Sequence, residues 1–127
     1  MGLIADTNAL SAFFAGEASA VERLAAADAV YLPVIVLGEF RYGLAGSRKR
    51  KEWEPRLMNF AGSCTVLPVR ETTTLPYARI RDQLRKAGTP IPENDIWIAA
   101  LALEYGQPIL SRETHFDKVA AVQRLEF

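Results

Sequence analysis

Leu3-Ile4-Ala5-Asp6-Thr7-Asn8 is the stretch whose reading decides the fold. Three apolar residues make a short strand, an acid follows at its carboxyl end, and a helical pattern begins within a few residues. The same change of period recurs along the chain. Strands are expected at 3–5, 30–32, 65–69, 108–110 and 122–125. Helices are expected at 9–15, 18–27, 34–47, 49–61, 73–87 and 93–105, with a short one near 114–119. No two-residue hairpin turn joins neighbouring strands, so right-handed crossovers are the expected connections. The fold class is therefore α/β, with a mainly parallel central sheet of four to five strands and helices on its faces.

Composition narrows the class further. The chain has 127 residues, 50% hydrophobic and 24% charged, and its 15 Lys and Arg balance 15 Asp and Glu. One compact domain over 1–127 is expected, and disorder is excluded. A chain of this size buries roughly two-thirds of its unfolded surface and needs no disulfide or zinc to hold a core. The lone Cys64 reads as a passive buried thiol. The longest apolar runs, Val30 to Leu37 and Ile96 to Leu103, fall far short of the ~20 residues that cross a bilayer. The first residues read as a strand and carry no basic start, so a cytoplasmic location is expected.

Several acids then stand out by position. Asp6 lies where ligands bind in open α/β sheets, outside the carboxyl end of a strand, although an Asp there also caps helices. Glu39 falls on an apolar side of its helix, within a turn of Ile35, Val36, Tyr42 and Gly43, and needs an arginine, a metal ion or protonation. Asp95, preceded by Pro92 and Asn94, opens an almost wholly apolar helix whose acidic start faces a cleft or rim. Glu113 follows the fourth strand as Asp6 follows the first, with Asp117 four residues on. One of these two is a candidate fourth acid, and Glu113 has the better position.

Four carboxylates without clustered His or Cys suit a hard cation such as Mg²⁺ or Mn²⁺. His115, the only histidine, has no Ser or Cys nucleophile motif to serve and reads as structural. No glycine-rich phosphate loop occurs. A phosphatase using Asp6 as nucleophile is disfavoured, because Asn8 stands where a haloacid-dehalogenase-like enzyme carries a second Asp.

Ile4-Ala5-Asp6-Thr7-Asn8, Leu37-Gly38-Glu39-Phe40-Arg41-Tyr42-Gly43, Pro92-Glu93-Asn94-Asp95-Ile96-Trp97-Ile98-Ala99-Ala100 and Leu110-Ser111-Arg112-Glu113 together resemble the PIN domain of VapC-type toxins, in the family's order across essentially the whole chain. The resemblance implies a three-layer α/β/α domain that holds one or two Mg²⁺ or Mn²⁺ ions and hydrolyses RNA phosphodiester bonds. Asp6, Glu39 and Asp95 match the family's acids. Glu113 fills the fourth slot, where the family more often has Asp. Thr7 and Ser111 match hydroxyl positions that orient a carboxylate or a water, and Asn8 and Asn94 accompany the acids. The implied function is the toxin of a type II toxin-antitoxin pair, a homodimer that a cognate VapB-type antitoxin silences in a heterotetramer or larger assembly. A PIN-like module that binds RNA or protein without cleaving is the alternative that Glu113 motivates.

RNA needs a local basic surface on a chain of zero net charge. Arg48-Lys49-Arg50-Lys51 is one candidate, and Arg79, Arg81, Arg85 and Lys86 form another. Leu10, Phe13, Phe14, Trp53 and Phe60 read either as core or as the antitoxin's groove.

Overall fold

The computed structural model describes residues 1–127. Five strands form one parallel sheet: β1 (Gly2–Ala5), β2 (Ala29–Pro33), β3 (Thr65–Leu67), β4 (Ile109–Leu110) and β5 (Arg124–Leu125), in the order β3-β2-β1-β4-β5. Six helices flank it: α1 (Thr7–Phe14), α2 (Ala18–Ala26), α3 (Val34–Ala45), α4 (Arg50–Ser63), α5 (Thr74–Ala87) and α6 (Glu93–Tyr105). Two short 3-10 turns, Glu71–Thr73 and Thr114–Lys118, complete the chain.

Alternation along the strands sorts side chains onto two faces. Ile4, Leu32 and Ile109 join the larger core, with Leu10, Phe14, Phe40, Ile80 and the buried side of α6. Leu3, Ala5 and Leu110 point the other way, to a smaller cluster with Ala9 and Leu24. Apolar nearly throughout, α6 buries Ile98, Ala99, Ala100 and Leu101 completely. Truncating Ile98 or Leu101 to Ala there costs about 2–5 kcal/mol. Gly88 and Gly106 end α5 and α6 at φ of 67° and 64°, the left-handed cap that a side chain resists. No helix is long and apolar enough to cross a membrane.

Some boundaries differ from expectation. β3 stops at Leu67 because Pro68 has no N–H for the ladder, and β5 is two residues long rather than four. The last short helix is a 3-10 turn rather than an α-helix. Cys64 is only half-buried, and burial pushes its thiol pKa up. Leu10 and Phe14 are core, and Phe14 meets Phe40 and Trp53 edge-on at 5.1 and 5.6 Å. Phe13 and Phe60 are partly buried against it and also line an apolar depression beside Val21 and Leu24.

Candidate active site

From β1 the chain proceeds through β2 to β3 on one side of the sheet, whereas β4 and β5 lie on the other, so the carboxyl ends of β1 and β4 flank the point where strand order reverses. Ligand crevices of open α/β sheets form there. Asp6 leaves β1 at this edge, and Ser111 and Glu113 leave β4. Glu39 comes from the second turn of α3, which follows β2 directly, and Asp95 from the first turn of α6. Asp6, Glu39, Asp95 and Glu113 all line one open cavity of about 610 Å³, together with Thr7, Asn8, Glu17 and Arg112.

A hydrogen-bond network fixes these groups. Fully buried Ser111 donates from Oγ to Asp6 Oδ2 at 2.6 Å, and accepts from the Glu113 N–H at 2.9 Å and from Asn8 Nδ2 at 3.2 Å. Thr7 Oγ1 donates to Glu39 Oε1 at 2.8 Å, and Asn94 Nδ2 to Oε2 at 3.4 Å. Each expected supporting residue thus holds an acid or the group that holds it. Glu39 sits less apolarly than its helix pattern suggested, since Tyr42 is 84% exposed.

His115 departs from the reading that made it structural. Its Nδ1 lies 3.0 Å from Asp95 Oδ2 and 3.2 Å from Glu113 Oε1, and its backbone N–H donates to that same Glu113 oxygen at 3.2 Å. A proton on Nδ1 would bridge these two carboxylate oxygens. The 3-10 turn after β4 brings this about, folding residue 115 back towards α6. The only signal in the sequence was a histidine two residues beyond a strand-end acid.

Asp117 lies outside the cavity. Arg124 grips it with two bonds of 2.9 and 3.0 Å, which hold its carboxyl below the usual range, and also donates to the Ser111 carbonyl at 3.1 Å. Of the two, Glu113 is the one that lines the cavity. Arg48, Lys49, Arg50 and Lys51 do not line the cavity. Lys49 sits over the Trp53 ring at 4.6 Å, and Arg50 faces Glu54. Of the second basic group, Arg81 pairs with Glu93 at 2.7 Å, and Arg85 and Lys86 with Asp82 at 2.7 and 2.9 Å.

Electrostatically, Asp6 and Glu39 have no cationic partner. Asp6 is 5% exposed, and burial lifts its carboxyl to about 6; the Ser111 hydroxyl and Thr7 N–H pull it down, while the charges of Asp95 and Glu39 push it up. Burial also raises Asp95, against the bond from His115. Neither Asp6 nor Glu39 forms an ion pair with a Lys or Arg, whereas Glu17, Asp82, Glu93 and Asp117 all do. No three donors converge tightly enough to enclose an ion alone. Mg²⁺ takes one or two carboxylates and keeps several waters, so an open, all-oxygen set around a buried unpaired Asp fits such an ion.

A family model described as PIN domain matches residues 3–122. The chain belongs to the PIN domain family. Within that family it stands with the VapC proteins: Ribonuclease VapC of Rickettsia bellii (strain RML369-C) is 32% identical over 117 residues, which cover 90% of this chain and 87% of that protein. VapBC2 from Rickettsia felis, solved bound to a promoter DNA fragment, superposes with a TM-score of 0.87 over 100% of this chain and 99% of that one; at 23% identity it speaks for the PIN fold alone. VapBC-5 from Mycobacterium tuberculosis, a member of the VapBC family of toxin-antitoxin systems, is 26% identical with a TM-score of 0.78, covering 99% and 98% of the two chains.

Proposed function

We propose that this PIN-domain chain is the toxin of a type II toxin-antitoxin pair, a divalent-metal-dependent endoribonuclease with Asp6, Glu39, Asp95 and Glu113 as its site. The observation that carries the reading is the buried Asp6, which shares a cavity with Glu39, Asp95 and Glu113 and has no Lys or Arg partner. Family membership and the VapC relatives named ribonucleases support the RNA substrate. Asp6 and Asp95 would hold the ion, Mg²⁺ or Mn²⁺, with Glu39 and Glu113 completing the set directly or through water. When bound, such an ion polarises the scissile phosphate and offsets the charge of an approaching nucleophile.

The chain's own residues do the rest. Ser111 fixes the Asp6 carboxylate, Thr7 and Asn94 fix both oxygens of Glu39, and His115 aligns Asp95 with Glu113. Glu39, whose two oxygens are each held by a single donor, retains lone pairs to accept a proton from a water at the cavity. The proposed partner is a VapB-type antitoxin, supported by the toxin-antitoxin system to which VapBC-5 belongs. The proposed assembly is a cytoplasmic homodimer that becomes a heterotetramer or larger with antitoxin.

The test is incubation of total RNA with the purified protein in Mg²⁺, Mn²⁺ or EDTA, beside Asp6→Asn, followed by mapping of new ends. Discrete metal-dependent cuts that vanish in the variant are expected. No cuts from a folded, metal-bound protein would replace the nuclease with a silent binding module.

A further inference from the structure

Arg112 is the one Lys or Arg among the residues that line the acidic cavity. Its backbone belongs to the site's network, because its N–H donates to Asn8 Oδ1 at 3.1 Å, and Asn8 bonds to the same Ser111 hydroxyl that holds Asp6. Its side chain is turned away to the rim. There Nη2 donates to Glu17 Oε2 at 2.5 Å and the guanidinium lies over the Phe127 ring, 4.1 Å from its centre, while Nε reaches the Phe127 carbonyl at 3.5 Å. Nη1 donates to no protein atom. Both side chains of the Arg112–Glu17 pair are nearly half exposed, at 46% and 45%.

Building on the proposed ribonuclease, we infer that Arg112 is the phosphate-binding residue of the cavity: its guanidinium leaves Glu17 and takes a non-bridging oxygen of the RNA backbone, anchoring the strand across the acids. An RNA phosphate entering here meets Asp6, Glu17, Glu39, Asp95 and Glu113 and needs a cation at the entrance. A guanidinium fork matches a phosphate as well as a carboxylate, so exchanging one for the other conserves its hydrogen bonds. An exposed ion pair is weak, which makes the exchange easy. Glu17 has a second consequence: it keeps the free guanidinium on the rim and off the carboxylates of Asp6 and Glu113, leaving those oxygens available to a metal ion. The Phe127 ring supports the planar group in both positions.

Binding is measured apart from cleavage, by fluorescence anisotropy of a labelled single-stranded RNA of mixed sequence in the full-length Asp6→Asn background, over a range of salt. Arg112→Gln is expected to weaken binding about fivefold and to reduce the slope of log affinity on log salt by about 0.7, the value of one single-strand phosphate contact. Arg112→Lys keeps the charge and is expected to keep the slope while losing affinity. Glu17→Gln is expected to tighten binding, and to do so more when Arg112 is present than in the Arg112→Gln protein, which separates release of the guanidinium from simple removal of a negative charge. An unchanged slope in Arg112→Gln, equal tightening by Glu17→Gln in both backgrounds, or no RNA binding by the parent protein would each overturn the assignment. Salt-dependent binding through Arg112 by a protein whose wild type never cuts RNA would retain it and overturn the nuclease instead.

Discussion

Replacing Asp6 by Asn is expected to stabilise the metal-free protein while abolishing its metal response. Burial raises this carboxyl from 3.8 to about 6. A difference of about 2.2 on the pH scale, at about 1.36 kcal/mol each, means that ionised Asp6 costs the fold about 3 kcal/mol at neutral pH. Asn removes the charge but keeps an oxygen that accepts from Ser111 Oγ, now as a neutral bond weaker by about 1 kcal/mol. The net gain is about 2 kcal/mol, or about 6–10 °C in Tm for a chain between the size classes for which such shifts are known.

The sign follows from proton counting. Between pH 3.8 and about 6 the folded wild type binds more protons at Asp6 than the unfolded chain does, so its stability falls as pH rises through that window. The cost is absent below about pH 4 and complete above about pH 6–7. Thermal melts of both proteins in EDTA at pH 4 and pH 7.5 therefore expect a gain for Asp6→Asn at pH 7.5 that disappears at pH 4. Added Mg²⁺ or Mn²⁺ is expected to raise the wild type alone, by about 2.7 kcal/mol at a hundredfold excess over Kd. A variant no more stable than wild type at pH 7.5, or equally favoured at both pH values, would refute the premise that a charged, unpaired Asp6 strains this fold.

Three further outcomes can be measured. Glu113→Gln is expected to lower kcat/KM for RNA cleavage at least about tenfold, while Asp117→Asn, whose partner is Arg124 outside the cavity, stays within about twofold. Ser111→Ala is expected to cost about 2 kcal/mol in urea unfolding and to move the Asp6 carboxyl above about 6 by NMR titration, since the lost hydroxyl favours the charged form. His115→Ala is expected to weaken Mn²⁺ binding about tenfold by calorimetry, because Asp95 and Glu113 lose the N–H that aligns them; tighter binding would mean that the imidazole competes with the ion.

The parts of the site that were legible in the sequence share a cause. Asp6 and Glu113 stand at the ends of strands, Asp95 at the start of an apolar helix, and each of these elements announces itself through period and punctuation within a few residues. Sheet order then brings β1 and β4 together, and the acids follow. What remained hidden is the choice of partner. The strand-end position favoured Glu113 over Asp117, four residues on, but only the fold shows that Asp117 goes to Arg124. His115 reaches Asp95 across 20 positions through a 3-10 turn, and Arg112 reaches Glu17 across 95; neither approach has a local pattern. The basic run at residues 48–51, the most conspicuous cationic signal in the chain, misses the cavity, while a single Arg112 lies on its wall. Charge density along a sequence reports where cations are numerous. The chemistry of this site turns on where one cation is withheld from Asp6 and where one is kept within reach, and both are properties of tertiary contacts.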